Sequence, residues 1–417
     1  MPNAAAPPTL SPADARVRRA FLSFAMFRYA HFGGGIMVPF YLAIGLSLQD
    51  AAVFFGLQMF AWAAAGVPAG AIADRFGRIP MLAAGMALRA AGYVALFVTA
   101  ALLTLDLGTV WLVYAAANVA IGIAEGCLTG PDSAYLYDRL EAPARDRNFR
   151  DITGRNSSVR HVIGASAPTV GGGIAQVLGI PWAILASAVT CVGGLFALRL
   201  FPPEQARAAT GTPRLMGAVR EFAKNRPLRV TSGFLALTGA YLLTMLFVQQ
   251  TVLLSLELEV FWFGAAAALA HLVAAAAALL TGPVSRWRRL RTTLVLGVLT
   301  AGFPLLAAIG VGLGGAGGIA VAAVGLVSFS AARGLSAPIV LGWVNSHAAS
   351  GHRASALALG YFVATVAAAI ATPSLGSAIA ALGIENVLYL MAVLVVPLTA
   401  VLLPGIIASQ PPRAVAP

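Results

Sequence analysis

Apolar runs long enough to cross a bilayer recur about twelve times along this chain of 417 residues. A span needs about 20 mostly apolar residues. The runs fall at 20–44, 50–73, 79–103, 110–131, 153–178, 181–201, 230–254, 261–282, 293–313, 317–340, 354–380 and 386–407. Their length predicts a helix for each. The sequence therefore predicts an all-α membrane protein with twelve transmembrane helices.

Charge placement tests that count. The loops at 45–49, 104–109, 179–180, 255–260, 314–316 and 381–385 contain no Lys or Arg, and these loops or their edges carry Asp50, Asp106, Glu257, Glu259 and Glu385. The alternate loops carry the basic residues, among them Arg75, Arg78, Arg139, Arg145, Arg147, Arg150, Arg207, Arg214, Arg286, Arg288, Arg289, Arg353 and Arg413. Basic loops stay in the cytoplasm, so both termini are expected there. A miscount by one would scatter arginines onto both faces.

Composition agrees. Hydrophobic residues make up 59% and charged residues 10%, with a mean hydropathy of +0.85, whereas soluble domains carry about 25% charged residues. The net charge of +12 would suggest nucleic-acid binding in a soluble protein. Here the basic residues separate apolar runs, so topology explains them and no nucleic-acid partner is expected. Cys127 and Cys191 lie inside apolar runs and read as small core residues rather than a disulfide or metal site.

The longest connection, 202–229, is basic and bears Pro202, Pro203 and Pro213. It divides the chain into a tail at 1–19, a six-helix bundle at 20–201, a cytoplasmic linker at 202–229, a second bundle at 230–407 and a tail at 408–417. Six plus six spans is the layout of a duplicated transporter, two pseudo-symmetric bundles around a midplane site. Segment 214–224 reads either as a short amphipathic helix on the anionic leaflet or as solvated linker.

Between the second and third spans the chain reads Gly70-Ala-Ile-Ala-Asp74-Arg75-Phe-Gly77-Arg78-Ile79-Pro80. This resembles the signature loop of the major facilitator superfamily, G-x-x-x-D-R-x-G-R-R, with Ile79 in place of the last basic residue. Gly70 would let its helix approach a neighbour, and Gly77 permits a tight turn. The resemblance implies that Asp74 caps the eleventh span near Ala354, that Arg75 and Arg78 pair with Asp132 or Asp138, and that the cluster latches the outward-open state. An ordinary basic loop is the alternative reading.

In the fifth span, Gly154-x8-Ile163-x3-Ala167-Pro168-x2-Gly171-Gly172 is similar to the family's antiporter motif, with Ile163 and Ala167 departing from it. Small residues and proline there suit close packing against the other half. A Gly-rich membrane helix without that role fits nearly as well. Gly130-Pro131-Asp132 and Arg333-Gly334 with Pro338 also resemble prokaryotic permeases of the family. The resemblance implies a multi-pass protein of the bacterial cytoplasmic membrane, acting as a monomer.

Charges inside spans cost about 2.5–3.5 kcal/mol each at mid-helix on insertion scales, so they are the functional candidates. They are Arg28 and His31 in span one, Arg89 in span three, Glu125 in span four, Arg160 and His161 in span five, His271 in span eight and Arg333 in span ten. Asn118, Gly122 and Glu125 share one face of span four. Glu125 is expected to pair with Arg28, Arg89 or Arg160, either to change protonation during transport or as a permanent salt bridge. Arg28 is expected to face the cavity. His31 reads as a titrating or a packing group, and Arg89 as structural. Arg160 reads as reaching the interface, His271 as packing or hydrogen-bonding. Arg333 reads as holding an anionic substrate group or anchoring its helix. One of Gln249 and Gln250 is expected to face the cavity. The family's fourth-span proton motif usually has arginine where Asn118 stands, a departure from ordinary drug/proton antiport.

There is no Walker-type phosphate loop and no H-E-x-x-H or nucleophile motif in context. Neither cofactor nor metal is expected, and a proton gradient is the expected driving force. The sequence thus predicts a secondary transporter, not an enzyme: proton-coupled efflux of a small amphipathic or anionic compound by alternating access. The alternatives are a metabolite uptake permease or uniporter and, more distantly, a membrane receptor or enzyme of the same fold.

Overall fold

The computed structural model describes residues 10–102, 104–141, 144–204, 220, 222–348 and 353–409. Much of the linker, both extreme tails, and with them Arg207, Arg214, Arg413 and most of segment 214–224, lie outside these. Among the described residues the chain is helical. The first half holds α1 (Pro12–Tyr29), α2 (Met37–Ala43), α3 (Leu48–Phe76), α4 (Arg78–Ala101), α5 (Leu107–Leu128), α6 (Pro131–Arg139), α7 (Arg145–Leu178) and α8 (Ile180–Leu198). The second holds α9 (Arg226–Ser255), α10 (Val260–Leu279), α11 (Thr281–Ser285), α12 (Arg289–Leu313), α13 (Gly315–His347), α14 (Arg353–Leu382) and α15 (Ile384–Ala408).

Nine of the described helices are long and apolar enough to cross a membrane, or ten if α3 counts despite a 49° bend between Gly66 and Pro68. Proline inside a helix removes a backbone hydrogen bond and kinks it. The two remaining expected spans correspond to α1 with α2, and to α7. Both α1 and α7 carry several arginines in their outer turns, which lowers their hydropathy.

The first span differs from the continuous helix expected over 20–44. Its helix starts earlier, at Pro12, with the Ser11 hydroxyl accepting the Asp14 N–H at 3.1 Å. It stops at Tyr29, and α2 resumes at Met37. The break holds three successive glycines. A Cβ on Gly33 would lie 2.5 Å from Ile184, and one on Gly35 would lie 3.1 Å from the Phe263 carbonyl. The opened backbone is satisfied from both halves of the chain: Ser187 of α8 accepts the Gly33 N–H at 3.0 Å. Gln250 of α9 accepts the Val38 N–H at 2.9 Å and donates to the Gly34 carbonyl at 3.5 Å.

Helix packing repeats between the halves. In the first, α4 packs on α5 and α8, α1 on α7, and α3 on α5; in the second, α12 packs on α13 and α15, α9 on α14, and α10 on α13. Two cross-half pairs, α3 with α14 and α7 with α10, join the bundles. This is a pseudo-two-fold arrangement of two bundles. An aromatic cluster, in which Tyr41 packs edge-on to Phe54 at 5.1 Å and Phe40 stacks on Tyr114 at 5.6 Å, fills the arginine-poor end of the first bundle.

The cross-half contacts sit toward the arginine-poor end. Gly264 meets the Pro168 carbonyl, Gly172 the Phe261 carbonyl, Gly56 the Pro373 ring and Gly376 the Ala52 methyl. Met59, Ala368 and Ala369 form an apolar plug between the halves. Toward the arginine-rich end, a Cβ on Gly66, Gly70, Gly154 or Gly342 would meet nothing within 4 Å. Among the described residues, the halves are in contact at the arginine-poor end, the sealed end, and these four glycines face open space toward the arginine-rich, open end.

Candidate functional site

Two groups of embedded polar residues emerge, one inside the first bundle and one between the bundles. The first centres on Arg89 of α4, only 1% exposed. Its guanidinium donates to the Glu125 carboxylate at 2.8 Å, the Arg28 carbonyl at 3.0 Å and the Cys191 sulfur at 3.3 Å. It also reaches His31 Nε2 at 3.4 Å, and His31 Nδ1 lies 3.1 Å from the Tyr93 hydroxyl. Arg28 pairs with Asp132 of α6 and donates to Thr129 Oγ1 at 3.3 Å. Each guanidinium thus has a carboxylate, as burial of charge requires.

This geometry corrects one expectation and decides between the alternatives of another. Arg28 is buried against α6 rather than facing the cavity, because Asp132 sits in the first turn of α6 and draws it inward. Of its three expected partners, Glu125 meets Arg89. Its side chain remains 20% exposed, unlike that of Arg89. Asn118 is fully satisfied in the aromatic layer: it accepts from the Tyr41 hydroxyl at 3.0 Å and donates to the Tyr114 carbonyl at 2.8 Å. Its one-face spacing with Glu125 is real, but Gly122 between them is packed on the Gln58 carbonyl of α3.

The signature loop is partly engaged. Gly77, at φ +97°, ends α3 and starts α4. Arg78 pairs with Asp138 and donates to the Ala134 carbonyl at 3.0 Å. Glu204, which sequence reasoning missed, accepts the Arg78 N–H at 2.8 Å and the Ile79 N–H at 3.3 Å. The signal was Gly77 itself, an N-cap without a side chain, which leaves the first N–H groups of α4 in need of an acceptor. Arg75 is exposed, its guanidinium 5.2 Å from the Phe76 ring centre. Asp74 is 64% exposed and lies 3.4 Å from Arg78; its expected partner, the turn before Ala354, lies outside the described residues. Gly70 has open space above it instead of a neighbouring helix, because the halves are apart at this end.

The antiporter-like stretch divides the same way. Pro168 and Gly172 touch α10, and Gly171 packs on the Phe32 carbonyl at the break in the first span, while Gly154 is open. Gln249 lines an apolar cavity of about 220 Å³ within the second bundle, with Trp262, Leu269 and Phe303. Its neighbour Gln250 makes the cross-half tie described above.

The second group straddles the bundles. His161 of α7 and His271 of α10 face each other edge-on, ring centres 5.7 Å apart. Arg160 precedes His161 on α7 and is exposed, and Arg333 precedes Gly334 of α13, which packs on the Ala274 carbonyl one turn beyond His271. The sequence singled out these residues one by one; only packing joins them. Among the described residues no group of His, Cys, Asp and Glu is arranged to hold a metal.

Two packed bundles of long apolar helices with embedded charged residues have the form of a polytopic membrane protein. The sequence profile of the Major Facilitator Superfamily matches residues 20–372, and the chain belongs to that family. It is 28% identical over 270 residues to a multidrug resistance protein MdtH of Sodalis glossinidius (strain morsitans), covering 63% of this chain and 62% of that protein. It is 31% identical over 130 residues to an MdtH of Enterobacter sp. (strain 638), 31% of this chain and 30% of that one. The chain thus matches less than two thirds of the length of these relatives. Solved structures share the fold: a nucleoside transporter NupG, at TM-score 0.72 and 15% identity over 95% of this chain and 99% of that one, and a D-xylose–proton symporter, at 0.71 and 14% over 93% and 96%.

Proposed function

We propose that the protein exports small amphipathic organic compounds across the bacterial cytoplasmic membrane in exchange for protons. The observation that carries this reading is Glu125: an embedded carboxylate, ion-paired to the buried Arg89 yet one-fifth exposed. A carboxylate in that position holds its charge through its cation, and loses the reason to hold it when the cation is drawn elsewhere. Protonation and rearrangement of the bundle are then linked. The multidrug-resistance names of the relatives favour export.

In this reading the arginine-rich end and both termini face the cytoplasm. The conformation described above is then inward-open, with the periplasmic end closed by the glycine contacts of α3, α7, α10 and α14. The exposed Asp74 fits a latch that engages only when the cytoplasmic end closes.

The test is transport in inverted vesicles holding the full chain, with a panel of amphipathic compounds and an imposed pH gradient. An acid lumen is expected to drive accumulation of at least one compound, and collapse of the gradient to abolish it. Equal rates with and without the gradient would remove proton exchange and favour the uptake permease or uniporter.

A further inference from the structure

Embedded cations in this protein divide into two kinds. In the first bundle each is neutralised in place, Arg28 by Asp132 and Arg89 by Glu125. Between the bundles, Arg160 flanks His161 on α7, the His161 and His271 rings meet, and Arg333 precedes Gly334, which packs on the Ala274 carbonyl one turn beyond His271; neither arginine takes part in any salt bridge found among the described residues. The Nδ1 atoms of both histidines are buried and have no hydrogen-bond partner. A buried polar atom left unpaired costs about 1–3 kcal/mol, and an unpaired charge at mid-span costs more. Such a cluster is incomplete until an anion joins it.

Its position suits a ligand. His271 lies about 16 Å along α10 from the sealed end at 1.5 Å per residue, and the open end lies beyond it. The four groups come from α7 of the first half and from α10 and α13 of the second, so an anion among them touches both moving bodies. Gly164 explains how the rings approach: a Cβ there would run into the His271 ring. The apolar plug of Met59, Ala368 and Ala369 also lies between the halves and supplies surface that suits an organic body.

We propose that Arg160, His161, His271 and Arg333 form an anion subsite that binds the carboxylate, sulfonate or phosphate of an amphipathic organic anion between the two bundles. This rests on the transporter reading and names the substrate class within it. Arg333 and Arg160 supply the charge and the planar donor fork that suits such oxyanions, and the histidines supply single N–H donors.

The experiment measures equilibrium binding to the purified full chain in detergent, without any gradient, so it stands apart from the proton-exchange test. The probes are 1-naphthoate, 1-naphthalenesulfonate and 1-naphthyl phosphate, against the neutral 1-naphthamide. At least one anion is expected to bind about tenfold or more tighter than the amide, as a charge-assisted hydrogen bond implies. Arg333→Gln is expected to remove that preference, and Arg333→Lys to restore most of it. Anion and amide binding alike, no binding of any of the anions, or a preference that survives Arg333→Gln would each overturn the proposal. An anion preference together with gradient-indifferent transport would sustain the subsite and remove only the proton coupling.

Discussion

Arg89 of α4 and Glu125 of α5 form an ion pair at 2.8 Å in which the cation is buried and the carboxylate is partly open. The asymmetry matters because one partner can exchange a proton with its surroundings and the other cannot. Removing one member of a buried pair costs about 3–5 kcal/mol, whereas replacing both by apolar residues is often near neutral. Glu125→Leu is therefore expected to lower thermal stability strongly, and Arg89→Leu/Glu125→Leu to recover most of the loss in a double-mutant cycle. Equal melting temperatures for wild type and Glu125→Leu would show that the pair contributes nothing.

The same pair gives a functional prediction. Glu125→Gln keeps the shape and the hydrogen bond but cannot titrate. Gradient-driven accumulation in vesicles is expected to fall by tenfold or more, while exchange of substrate across vesicles without a gradient persists. A fully coupled Glu125→Gln protein would remove the proton-site assignment.

Two glycines of one motif should respond with opposite signs. A Cβ on Gly154 meets nothing, and one on Gly172 would lie 2.9 Å from the Phe261 carbonyl. Gly154→Ala is expected to stabilise by about 0.4–1 kcal/mol through the unfolded chain. Gly172→Ala is expected to destabilise by about 1–3 kcal/mol as an overpacked contact. Melting curves of the two variants in detergent decide it; the same sign for both would contradict the packing described.

Sidedness is open to labelling. Cys substituted at Gly70 is expected to react with an impermeant maleimide in inverted vesicles, where the arginine-rich end is accessible. Cys substituted at Asp106 is expected to react only in intact cells. The reverse pattern would overturn the proposed orientation.

At the opposite end, Asp106 caps α5. The Thr109 hydroxyl at 2.6 Å and the Thr109 N–H at 3.0 Å hold its carboxyl below the usual carboxylate range. A depressed folded value means the cap contributes stability above the ordinary carboxylate pKa and loses it as pH falls through the folded one. Asp106→Asn should therefore melt earlier than wild type at pH 7, with the gap narrowing toward pH 3. A gap that widens on acidification would contradict the cap.

Sequence alone determined the solvent and the topology. Runs of apolar residues dictate lipid burial, and arginines confined to alternate loops dictate which helix ends lie together. Both are additive along the chain and need no tertiary contact. It also marked the embedded charges and the motif glycines as candidates. It could not assign partners. That Arg28 turns to Asp132 and leaves Glu125 to Arg89, that Glu204 caps α4, and that Gln250 ties the break in the first span all depend on residues far apart in the chain. The unneutralised cluster of Arg160, His161, His271 and Arg333 was decided the same way. Each is an ordinary embedded polar residue in sequence, and only the packing of α7 on α10 and of α10 on α13 brings them together, with no salt bridge to either arginine among the described residues.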